Sequence, residues 1–340
     1  MSIVQPDQPP VALGELAAGD QEQLSAAEAG YAAAAWAPNT LRGYRADWAE
    51  FTTWCTQHGR SSLPADPAAI TGYLTQLATA GAKVGTISRR LSAIKFAHRM
   101  HDLPDPTLNA RVNTVWEGIR RQLATPPDQS TPLHPPVLLD VLDSCPTTWS
   151  TKRTIANPET DLGGLRDRAL LLVGFVAALR RSELADLNVD ELADHELGLV
   201  ASLRHSKTNQ HGNLELVVLP FGTNPAHCPV TALRTWLSQA GITEGPVFRG
   251  ITRGNRVRPG RLHPESINTI VQRAVARAGL DPTGYSAHSL RAGFVTHAHL
   301  RGASDRAIMH QTRHRSPASV GTYVRVESSW VNNAATTLGI

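Results

Sequence analysis

Cysteine is scarce in this chain of 340 residues, and the three present, Cys55, Cys145 and Cys228, stand far apart. No C-x-x-C pair occurs, which argues against a zinc site or a disulfide framework and suits a reducing cytoplasm. Long apolar runs are missing too. The longest, residues 169–179, is too short to cross a bilayer, so no membrane association is expected. The N-terminus does not open on basic residues followed by an apolar stretch, so no signal peptide is expected. Lysine is nearly absent: only Lys83, Lys95, Lys152 and Lys207 carry it, and the rest of the 33 basic residues are arginine. Arginine's planar fork grips phosphate with two hydrogen bonds, although GC-rich coding DNA also favours arginine codons. The net charge of +4 fits a nucleic-acid partner without demanding one.

Hydrophobic residues make up 41% of the chain, enough for packed cores, and the length suits two domains better than one. Residues 1–22, rich in Pro, Ala, Asp and Gln, read as a disordered arm. The stretch 23–123 reads as a helical domain. Asn39 or Thr40 is placed to cap a first helix whose apolar face carries Leu41, Tyr44, Trp48, Phe51 and Cys55, ended by Gly59. Asp66-Pro67 opens a second helix, with Ile70, Tyr73, Leu74 and Leu77 inside, stopping near Gly81. A third covers 86–101 (Ile87, Leu91, Ile94, and Phe96 or Ala97), and a fourth 108–123 (Val112, Val115, Trp116, Ile119). Five prolines then crowd into residues 124–136, which reads as an extended linker. From 137 to 340 the pattern is mixed: an apolar helix over 165–179, strands at 197–203 and 214–219 joined by a polar turn, and helices at 232–239, 264–278 and 289–300. The fold class expected is therefore mainly α with a small β-sheet.

Four segments carry candidate chemistry: ALRRSEL at 178–184, the strand turn holding Lys207, HSLR at 288–291, and His314 followed nine residues later by Tyr323. Breaking a phosphodiester without a metal needs a nucleophile, cations on the non-bridging oxygens, and an acid for the leaving oxygen. A phenol ionises near pH 10, so using it at pH 7 costs about 4 kcal/mol, which nearby positive charge or a base must offset. Two arginines, a lysine and two histidines around one tyrosine would supply every part. No single piece is specific. H-x-x-R occurs twice, at His288/Arg291 and His310/Arg313, and an arginine after a buried helix is commonly an ion-pair partner. Tyr44 and Tyr73 fall on apolar helix faces and read as core residues. Tyr323 has local support: Ser316 and Pro317 can start a helix that puts Val320, Tyr323 and Val324 on one face.

In order and spacing, Arg180, Lys207, His288, Arg291, His314 and Tyr323 resemble the pattern of the tyrosine recombinase (phage integrase) family. The resemblance implies that Arg180 and Arg291 clamp the scissile phosphate, Lys207 protonates the departing 5′ oxygen, His288 is the tyrosine's proton-transfer partner, and His314 hydrogen-bonds the phosphate. Glu183 matches an acidic position that holds the network together. DWAEFTTWC, LPADP, YLTQLATAG and TISRRLSAIKFAHRMHDLPDPT resemble the N-terminal, SAM-like core-binding domain of Cre-type members, and with SAHSLRAG and AIMHQ the likeness runs from Pro38 to the end. Two positions depart from the family: Arg313 where it has Gly before the second histidine, and Ala178 where it often has Gly. Neither removes a reacting group.

The resemblance implies an enzyme that cuts and rejoins double-stranded DNA at inverted-repeat sites through a 3′-phosphotyrosyl link. It further implies no metal or nucleotide cofactor, a homotetramer on DNA, and a cytoplasmic, nucleoid-associated location. Arg256 and Arg258, in an arginine stretch without acidic residues, and Arg42, Arg45, Ser88, Arg89 and Arg90, on polar helix faces, are the DNA-binding candidates. Trp330, Ala334 and Leu338 recur every four residues, a stripe expected on a tail helix that docks on its own domain or on a neighbouring protomer. Two alternatives remain open at this point: a type IB topoisomerase with the same catalytic set, and a DNA-binding regulator that has lost catalysis.

Overall fold

The computed structural model describes residues 35–124, 129–151, 158–203 and 215–314. The chain divides into two compact units between Pro127 and Asp128. The arm, the strand turn with Lys207, and everything after His314, including Tyr323 and the tail stripe, lie outside the described residues.

Among the described residues the first unit contains four α-helices: α1 (Pro38–Gln57), α2 (Pro67–Thr79), α3 (Val84–Met100) and α4 (Ala110–Gln122). Punctuation residues set their limits. Helix α1 begins with proline at its first position after Ala37 rather than with the Asn39 or Thr40 cap expected from sequence. Asp66 caps α2 by accepting from the Ala69 amide at 2.6 Å, and Asn109 caps α4 through the Arg111 amide. Phe51, Cys55, Ile70, Leu74, Ile87, Ile94 and Val112 fill the centre, each 1% exposed or less. Of the two candidates on α3, Phe96 is the buried one.

The second unit opens with a correction to the linker. Residues 129–136 are fastened to the second unit: the Thr131 amide donates to the Gly284 carbonyl and the Leu133 amide to Ser289, and Leu133 is fully buried. A methyl on Gly293 would sit 2.0 Å from the Leu133 carbonyl oxygen, so only glycine lets the segment lie this close. Proline composition marked a non-helical stretch, but composition cannot tell a free linker from one docked by a single buried leucine.

Next come α5 (Val137–Asp143), a two-stranded ribbon of β1 (Thr148–Trp149) and β2 (Glu159–Thr160), the apolar α6 (Leu162–Val176) and the short α7 (Arg181–Asp186). A three-stranded antiparallel sheet follows, β3 (Leu192–His195), β4 (Gly198–Leu203) and β5 (Glu215–Pro220), in the order β3-β4-β5. Alternation sorts its faces. Leu199, Ala201, Leu203, Val217 and Leu219 point into the core, while Leu216 and Val218 face outward. The first strand was not foreseen, because LADH lacks an apolar alternation. The rest is α8 (Pro229–Gln239), the hairpin β6 (Arg249–Ile251) and β7 (Val257–Arg261), α9 (Pro264–Arg277), α10 (Ala287–Leu300) and α11 (Asp305–Thr312). Trp236 of α8, fully buried, gives its indole N–H to the Val247 carbonyl. One core gathers the sheet with α6, α8 and α9; a second joins Leu133 and α5 to α9 and α10.

Candidate active site

The expected apolar helix over 165–179 ends early, at Val176, and this break builds the site. Ala178 takes the left-handed conformation at φ 48°, and the chain restarts as α7 with Arg180 as its N-cap. Thus ALRRSEL is a helix–turn–helix corner rather than one helix end. The Glu183 carboxylate, in the first turn of α7, reaches back to the Arg180 amide at 2.8 Å and takes the Arg180 guanidinium at 2.7 Å. Arg180 is therefore held at its backbone and at its head by the same buried carboxylate.

Ser286 caps α10 by accepting from the His288 amide, and the Ser286 amide in turn donates to the Ser289 hydroxyl oxygen. Spacing of three then places His288 and Arg291 on one face of α10. Arg291 is 1% exposed. It donates to the Ala178 carbonyl at 2.6 Å and also to the Thr312 carbonyl. One guanidinium therefore ties the left-handed corner before Arg180 to the end of α11, two residues short of His314. A buried charge of this kind persists because hydrogen bonds replace its hydration.

Arg313, the C-cap of α11, is also left-handed, at φ 58°. Both positions where the sequence departs from the family's glycine thus require a conformation that glycine adopts readily. Arg313 holds the strain through ion pairs. Its guanidinium meets the Glu183 carboxylate at 2.5 Å and Glu215, the first residue of β5, at 3.3 Å. Sequence reading named Arg313 as a departure and as part of the second H-x-x-R, and missed this bracing role; the acidic partners lie 130 and 98 positions away in the chain, so no local pattern reveals them.

Electrostatics follow from this packing. Burial alone would raise the Glu183 carboxyl, but the charge of Arg313 and then the Arg180 amide and guanidinium outweigh it and hold the carboxyl below the ordinary glutamate value. His288 is lowered by desolvation against the surrounding protein, then by Arg291 and Arg180. His314 is pushed down to about 4 by burial, then by Arg291, Arg180, His288 and Arg313. Both shifts favour the neutral imidazole. The structure therefore brings Arg180, Glu183, His288, Arg291 and His314 into one cluster. Lys207 belongs to the connection between Leu203 and Glu215, which pair across β4 and β5. Arg313 grips Glu215 at the near end of that connection.

Other candidates fall elsewhere. Tyr73 is 3% exposed, its hydroxyl accepting from Arg90 at 2.8 Å, which makes it a core residue of the first unit. Arg90 also pairs with Glu50, and Arg89 makes a two-pronged pair with the buried Asp47 at 2.7 and 2.9 Å. Arg90 thus braces helices α1, α2 and α3, while Arg89, Ser88, Arg42 and Arg45 remain on the surface. In the second unit Arg256 and Arg258 are exposed on the β6–β7 hairpin. Their neighbours Arg249 and Arg261 are tied to backbone carbonyls at Glu244, Pro246 and Ala185. Among the described residues no helix is long and apolar enough to cross a membrane.

Comparison with known proteins decides the family. Residues 149–329 match the phage integrase family, and residues 32–100 match the N-terminal SAM-like domain of phage integrases. The chain belongs to the phage integrase family of tyrosine recombinases. An integrase/recombinase xerD homolog from Selenomonas ruminantium is 36% identical over 301 residues, covering 88% of this chain and 84% of that protein. Tyrosine recombinase XerD of Xanthomonas axonopodis pv. citri is 26% identical over 303 residues, 85% of this chain and 88% of its own. Among solved structures, XerH site-specific recombinase bound to palindromic difH substrate matches with a TM-score of 0.58 at 14% identity, over 88% of this chain and 79% of that one. The Tn1549 transposon integrase in complex with transposon right end DNA matches at 0.57 and 13% identity, over 93% and 95%. The curated relatives named here are Xer proteins, and none of these matches singles out Cre.

Proposed function

We infer that this tyrosine recombinase cleaves and rejoins DNA at paired specific sites through a 3′-phosphotyrosyl intermediate, with Tyr323 as the nucleophile. The observation that carries the reading is the Arg180–Glu183–Arg291–His314 cluster, assembled from three separate elements around two buried guanidinium braces. Arg180 and Arg291 hold the non-bridging oxygens as charge builds on phosphorus. Lys207 protonates the 5′ oxygen, His288 takes the phenol's proton, and His314 hydrogen-bonds a phosphoryl oxygen. Glu183 keeps the arginines in place.

The relatives' names speak of site-specific recombinases on palindromic and transposon-end DNA, and we extend that to this chain. Its substrate is double-stranded DNA with an inverted-repeat site, met in the bacterial nucleoid and held by a homotetramer. Arg42, Arg45, Ser88 and Arg89 of the first unit, and Arg256 and Arg258 of the second, contact the duplex. The cyclic, Cre-like arrangement, with the tail around Trp330, Ala334 and Leu338 packed on a neighbour, is part of this proposal.

The test uses DNA flanking the coding region, searched for inverted repeats about a short spacer, cloned as two copies in one plasmid. Recombinant product is expected, in excess EDTA as well, since cationic side chains hold the phosphate. Broad relaxation of supercoiled plasmid lacking the site would favour the topoisomerase reading, and the absence of any covalent adduct would favour a DNA-binding regulator.

A further inference from the structure

Thr312, the last residue of α11, is fully buried and touches two of the groups assigned above. Its carbonyl accepts from Arg291. Its hydroxyl oxygen lies 2.7 Å from the Ile308 carbonyl oxygen and 2.8 Å from Nδ1 of His314. A threonine hydroxyl has one hydrogen, and a carbonyl oxygen only accepts. The hydrogen therefore goes to Ile308; turned toward the imidazole it would leave oxygen lone pairs facing across the shorter contact. Nδ1 must then carry the hydrogen that joins it to Thr312. A neutral imidazole has a single N–H, so Nε2 is the acceptor nitrogen.

We propose that Thr312 is a positioning residue for strand cleavage: it fixes the Nδ1–H tautomer of His314, so that Nε2 meets the DNA as an acceptor and donates to a phosphoryl oxygen only after gaining a proton. The proposal rests on the phosphotyrosyl chemistry of the preceding section. The proton gained is the one the phenol loses, passed by way of His288. In balance, the tyrosine O–H breaks and the tyrosine O–P bond forms. The bond from phosphorus to the 5′ oxygen breaks, that oxygen leaves with a proton from the Lys207 ammonium, and Nε2 becomes N–H.

The arrangement gives His314 a timing that a standing donor lacks. Among the described residues, the charged and titratable groups acting on it include Arg291, Arg180, His288 and Arg313. Beside three guanidinium groups an imidazolium is disfavoured until the phosphoryl oxygens gain negative charge beyond the single charge of the resting phosphodiester. A donor present chiefly in the transition state lowers the barrier, whereas one equally strong in the ground state does not.

The test is two-bond 1H–15N NMR on the full chain with 15N-labelled histidine at pH 7, His314 being assigned with the His314→Gln variant. The wild type is expected to show the Nδ1–H tautomer. Thr312→Val keeps the shape, removes the acceptor and is expected to shift His314 toward Nε2–H; Thr312→Ser is expected to restore Nδ1–H. Single-turnover cleavage should fall about tenfold to a hundredfold in Thr312→Val, the range for losing an outer partner of a functional histidine. DNA affinity should be unchanged, and Thr312→Ser should recover most of the rate. An Nε2–H tautomer in the wild type, or wild-type cleavage by Thr312→Val, would overturn the proposal. A wild-type chain showing Nδ1–H but forming no tyrosyl adduct would overturn the recombinase reading instead.

Discussion

Replacing Glu183 by glutamine tests how far the cluster depends on a single buried carboxylate. The side chain is 1% exposed and receives the Arg180 amide, the Arg180 guanidinium and the Arg313 guanidinium. Glutamine preserves the shape but removes the charge, and its amide group must aim a donor at donors. Removing one partner of a buried pair costs about 3–5 kcal/mol. Arg180 is one-fifth exposed and regains some hydration, so the lower end, about 3 kcal/mol, is expected. Because the chain has two units, the suitable readout is hydrogen exchange measured by mass spectrometry on peptides from α6 and α10. At about 1.4 kcal/mol per decade, their exchange through opening of the second unit should quicken roughly a hundredfold. The pH dependence has a fixed sign. Glu183 is held below its ordinary value of 4.5, so its contribution is full above that value and fades as pH falls through the folded-state value. The difference between wild type and variant must therefore shrink in acid. Exchange within threefold of wild type at pH 7 would refute the reasoning.

Other variants probe separate links. Arg180→Ala and Arg291→Ala should each slow single-turnover cleavage roughly a hundredfold or more, the scale for losing one transition-state donor; rates within tenfold of wild type would contradict the clamp. Ala178→Gly should stabilise the second unit by about 1 kcal/mol, since an L side chain at φ 48° is strained, and urea unfolding measures it. Gly293→Ala should destabilise by about 1–3 kcal/mol, because the new methyl meets the Leu133 carbonyl at 2.0 Å, and faster exchange at the Leu133 amide would report it.

The helices of the first unit were readable because their signals are local: Asp66-Pro67 starts a helix, and Ile87 and Ile94, about two turns apart, mark one buried face. Order and spacing along the chain singled out Arg180, Glu183, His288, Arg291 and His314 as candidates, and these groups come together from α7, α10 and the end of α11; Lys207 and Tyr323 lie outside the described residues. What the sequence hid is long-range or conformational. Nothing local says that Ala178 turns left-handed and splits the apolar helix, that Leu133 buries itself against α10, or that Arg313 spans Glu183 and Glu215. Arg90 shows the reverse case: a basic residue on a polar stripe reads as a DNA contact until Tyr73 and Glu50 are found against it.

The central claim is that a tyrosine oxygen of this chain becomes joined to DNA, and the residue is Tyr323. The direct measurement is a denaturing gel of end-labelled DNA carrying the flanking inverted repeats, incubated with wild-type protein and with Tyr323→Phe, beside a gel-shift titration of both. Wild type should give a protein–DNA adduct that survives denaturation; Tyr323→Phe should bind the DNA with little change and give none, because only the nucleophilic oxygen is gone. An adduct that persists in Tyr323→Phe would contradict the account, because another residue would then be the one that attacks.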